Sequence, residues 1–120
     1  MKLFSTVGSP MSLDERFIRG IELFNKEEFF ECHEIIEDLW LATQDEYKEL
    51  YKGVIQAAVA LYHLDRGNLK GARKLYGTSS KYLRKYPQVA LGLNVEKLLE
   101  DMKICFEEDY ERIPKLEFIK

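Results

Sequence analysis

The residues most able to carry chemistry lie in one short segment of the chain. His33, Glu37 and Trp40 form an H-x-x-x-E-x-x-W pattern within FFECHEIIEDLW, residues 29–40. At about 100° per residue the three fall within roughly 60° of one another on a helical wheel, so they are neighbours on one stripe. A histidine and a glutamate at i and i+4 can bind one divalent metal ion, and in an apolar pocket the same pair can act as general acid and base.

The other acids of this segment point elsewhere. Glu31, Glu34 and Asp38 fall between about 100° and 160° from His33, on the arc that faces water. Glu37 instead faces the apolar side of the helix, and we expect it to be substantially buried. A buried carboxylate without a partner is unfavourable by several kcal/mol, so a cation must accompany it.

The next helix supplies candidate partners. LYKGVIQAAVALYHL, residues 50–64, is apolar nearly all round, which predicts a central helix crossed by a single polar line. That line contains Glu49, Lys52, Gln56 and His63. Gly53 is expected to let the two helices approach closely.

An antiparallel hairpin about a turn at 43–46 would set the two polar stripes against each other. It places Gln56 opposite His33, Lys52 opposite Glu37, and Glu49 opposite Trp40. His63 lies about 10 Å beyond Gln56 along its helix and is expected to miss the His33 centre.

Two interpretations follow. In the first, His33 and Glu37 hold a divalent metal ion with Glu34, Gln56 or water as further ligands, and the chain is a metal-dependent hydrolase or an acid/base catalyst acting through Glu37 and His33. In the second, Glu37 forms a buried ion pair with Lys52 and the polar centre is structural. In either interpretation, we expect Trp40, Lys52 and His63 to take part in binding at this site or to support its structure. No nucleophile elbow, phosphate loop or dinucleotide fingerprint accompanies them.

Five helices are expected to position these residues in an all-α bundle, without strands. Capping boxes are predicted at Ser12–Glu15 and Thr43–Glu46, and further caps at Asn25 with Glu28, at Asn68 and at Asn94. The expected helices run from about Leu13 to Asn25, Lys26 to Ala42, Thr43 to Arg66, Asn68 to Lys85 and Asn94 to Glu111. We expect one domain over residues 1–120, with tails at 1–11 and 112–120.

Part of the chain is similar to a tetratricopeptide repeat. Gly67, Ala72, Tyr76 and Pro87 lie roughly where that repeat has small residues, an aromatic residue and a terminating proline. The alternative function is therefore a non-enzymatic protein-interaction module, with a protein partner or a second copy of the chain as its ligand.

Composition narrows the class of protein. The chain has 120 residues, 46% of them hydrophobic and 32% charged, which is typical of a soluble globular domain. The net charge of −3 argues against nucleic acid as a partner, although residues 73–86 form a modest basic patch, interpreted as a solvated face.

The cysteines and the lengths of the apolar stretches predict where in the cell the protein resides. Cys32 and Cys105 are far apart and are expected to be buried thiols in a reducing cytosol. No stretch has the length of a signal peptide or a membrane span. We therefore expect a cytoplasmic protein without a membrane partner and with no cofactor other than the metal ion.

The chain resembles the small bacterial and archaeal helical proteins grouped as domain of unknown function 309. The best-matched parts are FNKEEFFECHEIIEDLW, YKGVIQAAVALYH and GNLKGA, residues 24–40, 51–63 and 67–72. The resemblance implies a compact helical domain and a metal-binding role for the HxxxExxW motif, here His33, Glu37 and Trp40. A small residue such as alanine would be more usual at Cys32, so the resemblance does not favour Cys32 as a ligand.

Overall fold

Five α-helices follow one another along residues 13–119, the part of the chain that this computed structural model describes. One pair of two-residue strands interrupts them before the last helix. The all-α prediction is confirmed. The elements are α1 (Glu15–Asn25), α2 (Phe29–Ala42), α3 (Lys48–Asp65), α4 (Leu69–Leu83), β1 (Val89–Ala90), β2 (Leu93–Asn94) and α5 (Val95–Glu107).

Helices α1 to α4 form two helical hairpins with the same turn. The second residue of each turn, Glu27 and Gly67, has a left-handed backbone, with φ of 63° and 79°. The next amide then donates back into the preceding helix, from Glu28 to the Leu23 carbonyl at 2.9 Å and from Asn68 to the His63 carbonyl at 2.8 Å. This is the Schellman arrangement, and the turn predicted at Gly67 is confirmed.

A glycine lets each hairpin close. An added Cβ on Gly20 of α1 would lie 2.4 Å from a side-chain carbon of Ile36 on α2, and one on Gly53 of α3 would lie 2.7 Å from Leu83 on α4. The Ser79 hydroxyl donates to the Gly53 carbonyl at 2.7 Å across the second contact. Gly53 therefore serves the α3–α4 contact, and its predicted role against α2 is wrong.

Two of the predicted helix starts are wrong. The backbone at Glu27 delays α2 to Phe29, and neither Glu28 nor Asn25 supplies a side-chain cap. The T-Q-D-E segment does not start α3, because the Thr43 hydroxyl donates back to the Leu39 carbonyl at 2.6 Å and closes α2. Thr43–Tyr47 is therefore a loop, and α3 begins at Lys48.

Two of the three expected asparagine caps are confirmed. Asn68 accepts from the Gly71 amide at 3.1 Å, and Asn94 accepts from the Lys97 amide at 3.0 Å. At α1 the cap is Asp14, which accepts from the Arg16 amide. Ser12 and the predicted tail 1–11 lie outside the described residues.

The segment after α4 contains strands that the sequence analysis did not predict. Leu91 and Gly92 both have positive φ, 52° and 77°, which makes the tight turn of a hairpin between β1 and β2. Helix α5 ends at Glu107 rather than near Glu111. The chain beyond it packs against α1 and β2, with Pro114 and Leu116 buried.

One buried cluster joins all these elements. Phe17 of α1 is fully buried in this cluster, and its ring centroid lies 5.3 Å from that of Tyr51 on α3 and 5.9 Å from that of Phe118 in the C-terminal segment. Cys32 and Cys105 are free and buried, as predicted, and burial raises their thiol pKa values to about 12 and about 11. None of the helices within residues 13–119 is long and apolar enough to cross a membrane.

Candidate functional site

The register of α2 against α3 decides which side chains meet at the HxxxExxW motif. Trp40 lies against Lys52, and Phe30 lies against Tyr62 with ring centroids 5.7 Å apart. Both contacts lie three positions farther along α3 than predicted. The prediction assumed a turn at residues 43–46, and the observed loop, Thr43–Tyr47, is one residue longer, which moves the pairing in the same direction.

Glu37 therefore has a different environment from the predicted one. Its side chain is 47% exposed rather than buried, and within residues 13–119 it forms no ion pair with Lys52. The Lys52 ammonium lies 4.4 Å from the centre of the Trp40 ring. Both the predicted burial of Glu37 and the predicted Glu37–Lys52 ion pair are wrong.

His33 is held at the surface of α2 in a defined orientation. Its side chain is 27% exposed, and Nδ1–H donates to the Phe30 carbonyl at 3.2 Å. Nε2 then lies 3.6 Å from Oε1 of Glu37. The pair can share a proton or, when His33 is neutral, direct a nitrogen lone pair and a carboxylate oxygen at one ion.

A shallow cleft of about 100 Å³ lies beside His33, between α2 and α3. His63 lines the same cleft, so the expectation that it misses the His33 centre is wrong. The Asn68 amide nitrogen is 3.4 Å from His63 Nδ1, and as donor it leaves the ring proton of neutral His63 on Nε2. The lining residues are Phe29, Phe30, His33, Val59, Tyr62 and His63.

The structure does not bring the two other predicted ligands to the motif. Gln56 faces α4, where it lines a groove with Thr78 and Tyr82, and its buried Oε1 accepts no hydrogen bond from residues 13–119. Glu34 is exposed and forms no ion pair within that part of the chain. Across the described residues, no group of three or more His, Cys, Asp and Glu side chains is arranged to hold a metal ion.

Trp40 has a partner that the sequence analysis missed. The Lys48 ammonium lies 4.4 Å from the Trp40 ring centre and donates to the carbonyls of Trp40 at 2.7 Å and Thr43 at 3.0 Å. It thereby satisfies carbonyls at the C-terminal end of α2, where the helix dipole favours a cation. The predicted start of α3 at Thr43 places Lys48 inside a helix, whereas the observed loop Thr43–Tyr47 places it just beyond the end of α2.

The exposed side of α2 combines acidic and apolar residues. The helix carries no Lys or Arg, and its charged residues are four acids: Glu31, Glu34, Glu37 and Asp38. Within the described chain, Glu31, Glu34 and Asp38 form no ion pair. The side chains of Phe30 and Leu41 on this helix are 45% and 62% exposed. We call this the α2 surface, comprising Phe30, Glu31, Glu34, Glu37, Asp38 and Leu41.

The fold and the motif define a class of protein, a bundle of helical hairpins with an HxxxExxW motif on the second helix. Residues 17–75, which include both hairpin turns and the whole motif, match the family described as Domain of unknown function (DUF309), and this part of the chain belongs to that family.

The chain is also similar to two curated bacterial proteins. An uncharacterised protein YpuF of Bacillus subtilis is 37% identical over 91 residues, covering 73% of this chain and 52% of that protein. An uncharacterised protein of Aquifex aeolicus is 29% identical over 76 residues, covering 62% of this chain and 23% of that protein. The chain thus spans about half or less of the length of these relatives.

Proposed function

We propose that the chain is a protein-interaction module whose α2 surface binds a cationic amphipathic helix of another protein. The observation that carries this proposal is the α2 surface itself. Exposed Phe30 and Leu41 lie there among the carboxylates of Glu31, Glu34 and Asp38, which form no ion pair within residues 13–119. A helix with an apolar stripe and flanking Lys or Arg residues complements both features.

The size of the cleft beside His33 supports a protein ligand over a small substrate. Sites for small molecules commonly enclose about 300–1,000 Å³, whereas this cleft has about 100 Å³. It accommodates one apolar side chain of a bound helix, which would rest on Phe30, Val59 and Tyr62. His33 and Glu37 would then form the polar edge of the contact rather than a catalytic pair.

Charge reversal on α2 tests this proposal with a peptide of stated design. The probe is an 18-residue helical peptide with leucines at i, i+3, i+4 and i+7 spacing and lysines elsewhere. Isothermal titration should show binding that the Glu34→Lys, Asp38→Lys double variant weakens by at least ten-fold. The matched control, Glu100→Lys with Glu111→Lys, changes the net charge equally on residues outside α2 and should bind as the parent protein does.

A peptide in which glutamate replaces every lysine should not bind, which separates specific recognition from general apolar adsorption. Equal loss of affinity in both double variants would show that only net charge matters, and would contradict the proposal. So would binding that neither variant changes.

A divalent metal ion at His33 and Glu37 is the second candidate function. Its support is the orientation of the imidazole, because a ligating histidine commonly donates its other N–H to a backbone carbonyl, as His33 does to Phe30. The 3.6 Å separation of Nε2 and Oε1 is close to the span of two ligands on one tetrahedral ion. Two protein ligands leave further positions for water, a substrate or a partner's side chain.

Cobalt titration tests the metal site directly. Co²⁺ bound through His33 should give visible d–d absorption with about one equivalent bound, and His33→Ala should abolish that absorption. His63→Ala is the matched control, since His63 lines the same cleft but its Nδ1 accepts from Asn68. A spectrum that survives His33→Ala would exclude this site.

A further inference from the structure

The C-terminal segment binds the rest of the molecule as an added strand. The Asn94 amide donates to the Glu117 carbonyl at 2.8 Å, and the Ile119 amide donates to the Gly92 carbonyl at 2.7 Å. Phe118 forms an antiparallel bridge with Leu93 of β2. The segment thus extends the β1–β2 hairpin by backbone hydrogen bonds, which is how many proteins bind an extended peptide.

Asn25, at the C-terminal end of α1, recognises the backbone of this strand at one residue. Its Nδ2 donates to the Leu116 carbonyl at 2.9 Å, and its Oδ1 accepts from the Leu116 amide at 2.7 Å. Lys115 adds a hydrogen bond from its ammonium to the Asn25 carbonyl at 2.9 Å. One amide side chain therefore satisfies both backbone groups of a residue that belongs to neither β1 nor β2.

Side chains of the strand alternate between the core and solvent. Pro114 and Leu116 are buried and Phe118 packs on Phe17, while Lys115 and Glu117 are exposed. An extended chain places alternate side chains on opposite faces, so the site accepts the pattern Pro-x-Leu-x-Phe. We call it the strand site, formed by Phe17, Asn25, Gly92, Leu93 and Asn94.

The connection between this strand and α5 is well suited to act as a hinge. Every residue from 108 to 112 is exposed, and the segment has no regular secondary structure. Its principal side-chain contacts come from Tyr110, which packs edge-on against Phe106 and accepts a hydrogen bond from Arg73 at 3.1 Å. Straightening this segment would leave the contacts of α5 with α4 in place.

From these contacts we propose that the strand site also binds residues 113–119 of a second copy of this chain, giving a dimer in which the two C-terminal strands are exchanged. The strand makes the same contacts within one chain as between two chains. The balance between monomer and dimer therefore depends on the effective concentration of the attached strand. This inference is independent of the α2 surface and of any metal ion.

Two variants of the 120-residue chain with complementary defects test the exchange. The first, Leu116→Asp with Phe118→Asp, has an intact strand site but a strand that cannot dock. The second, Asn25→Leu, has an intact strand but lacks the amide that holds it. The two variants are mixed at a concentration on the order of 0.5 mM, which is below the effective concentration of a strand on a short tether. Analytical ultracentrifugation should then show a one-to-one dimer in the mixture and a monomer for each variant alone.

A third chain that combines Asn25→Leu with both aspartates is the control and should form no dimer with either variant. Native mass spectrometry with one variant ¹⁵N-labelled identifies the composition of the dimer. Monomers in every mixture would overturn the proposal. It would equally be overturned if the aspartate variant has lost its cooperative thermal unfolding and the second variant does not restore it, because the strand would then be an inseparable part of the fold.

Discussion

The Lys52 ammonium group lies 4.4 Å from the centre of the Trp40 ring and forms no ion pair with the Glu37 carboxylate. A cation over an indole face is attracted by the ring quadrupole, and at a partly exposed position this is worth about 0.5–1 kcal/mol. The central polar contact between α2 and α3 is therefore a cation–π interaction, and Glu37 is available at the surface.

Replacing Glu37 tests this arrangement. Glu37→Ala should change the free energy of unfolding by no more than about 0.5 kcal/mol, because an exposed side chain is removed and no buried charge is left behind. Lys52→Met keeps the aliphatic stem but removes the charge over Trp40, so it should lower the free energy of unfolding by about 0.5–1 kcal/mol. Urea denaturation followed by circular dichroism measures both. A loss of about 3 kcal/mol for Glu37→Ala would instead indicate a buried ion pair.

The same substitution, glycine to alanine, should have opposite effects on stability at Gly53 and Gly77. Gly53→Ala should destabilise by about 1–3 kcal/mol, because its Cβ would lie 2.7 Å from Leu83 in a packed contact. Gly77, also helical, has open space around the position of a Cβ, so Gly77→Ala should stabilise by about 0.5–1 kcal/mol. Thermal and urea unfolding of the two variants should move in opposite directions. A stabilising Gly53→Ala would show that α3 and α4 separate easily.

Alkaline pH should weaken the contact between α4 and α5. The Tyr76 hydroxyl donates to Glu107 Oε2 at 2.7 Å, and burial together with that carboxylate raises the pKa of Tyr76 from 10.0 to about 12. Because the folded state holds the proton more tightly, this stabilisation is complete below about pH 10 and is lost as the pH rises toward about 12.

Tyr76→Phe isolates this effect. The variant should be less stable than the parent protein at pH 8, and the difference should shrink between pH 10 and pH 12, as followed by urea denaturation across that range. Tyr82→Phe is the control, since no hydrogen bond of the Tyr82 hydroxyl is present within residues 13–119. A stability difference that stays constant across the range would rule out a contribution from Tyr76 ionisation.

The predictable parts of the fold were those set by local chemistry. Gly67 and Asn68 mark the turn between α3 and α4, because one tolerates a left-handed backbone and the other caps the next helix. Glu27 adopts the same left-handed backbone without a glycine, so the start of α2 was placed too early. The tertiary contact that Asn25 makes with Leu116 spans most of the chain and has no local signature.

The predictable part of the candidate site was the neighbourhood of His33 and Glu37 on one helix, since this follows from helical periodicity alone. Their partners depend on how α2 and α3 are aligned. That alignment depends on whether the Thr43 hydroxyl caps the following helix or bonds back to Leu39, and both are common for threonine. The longer loop, together with the packing of α2 on α3, thus separates the predicted partners of Glu37 from the observed ones.

The loop Thr43–Tyr47 has a wider consequence for how this surface could diversify. A shift of three residues is nearly one turn of helix, so α3 turns almost the same apolar face toward α2 before and after such a shift. Changes in the length of the loop that slid α3 by three or four residues would therefore keep an apolar face of α3 toward α2 while bringing a new set of α3 side chains beside His33. In evolution or in design, the length of this loop offers a way to change which α3 side chains lie beside the HxxxExxW motif.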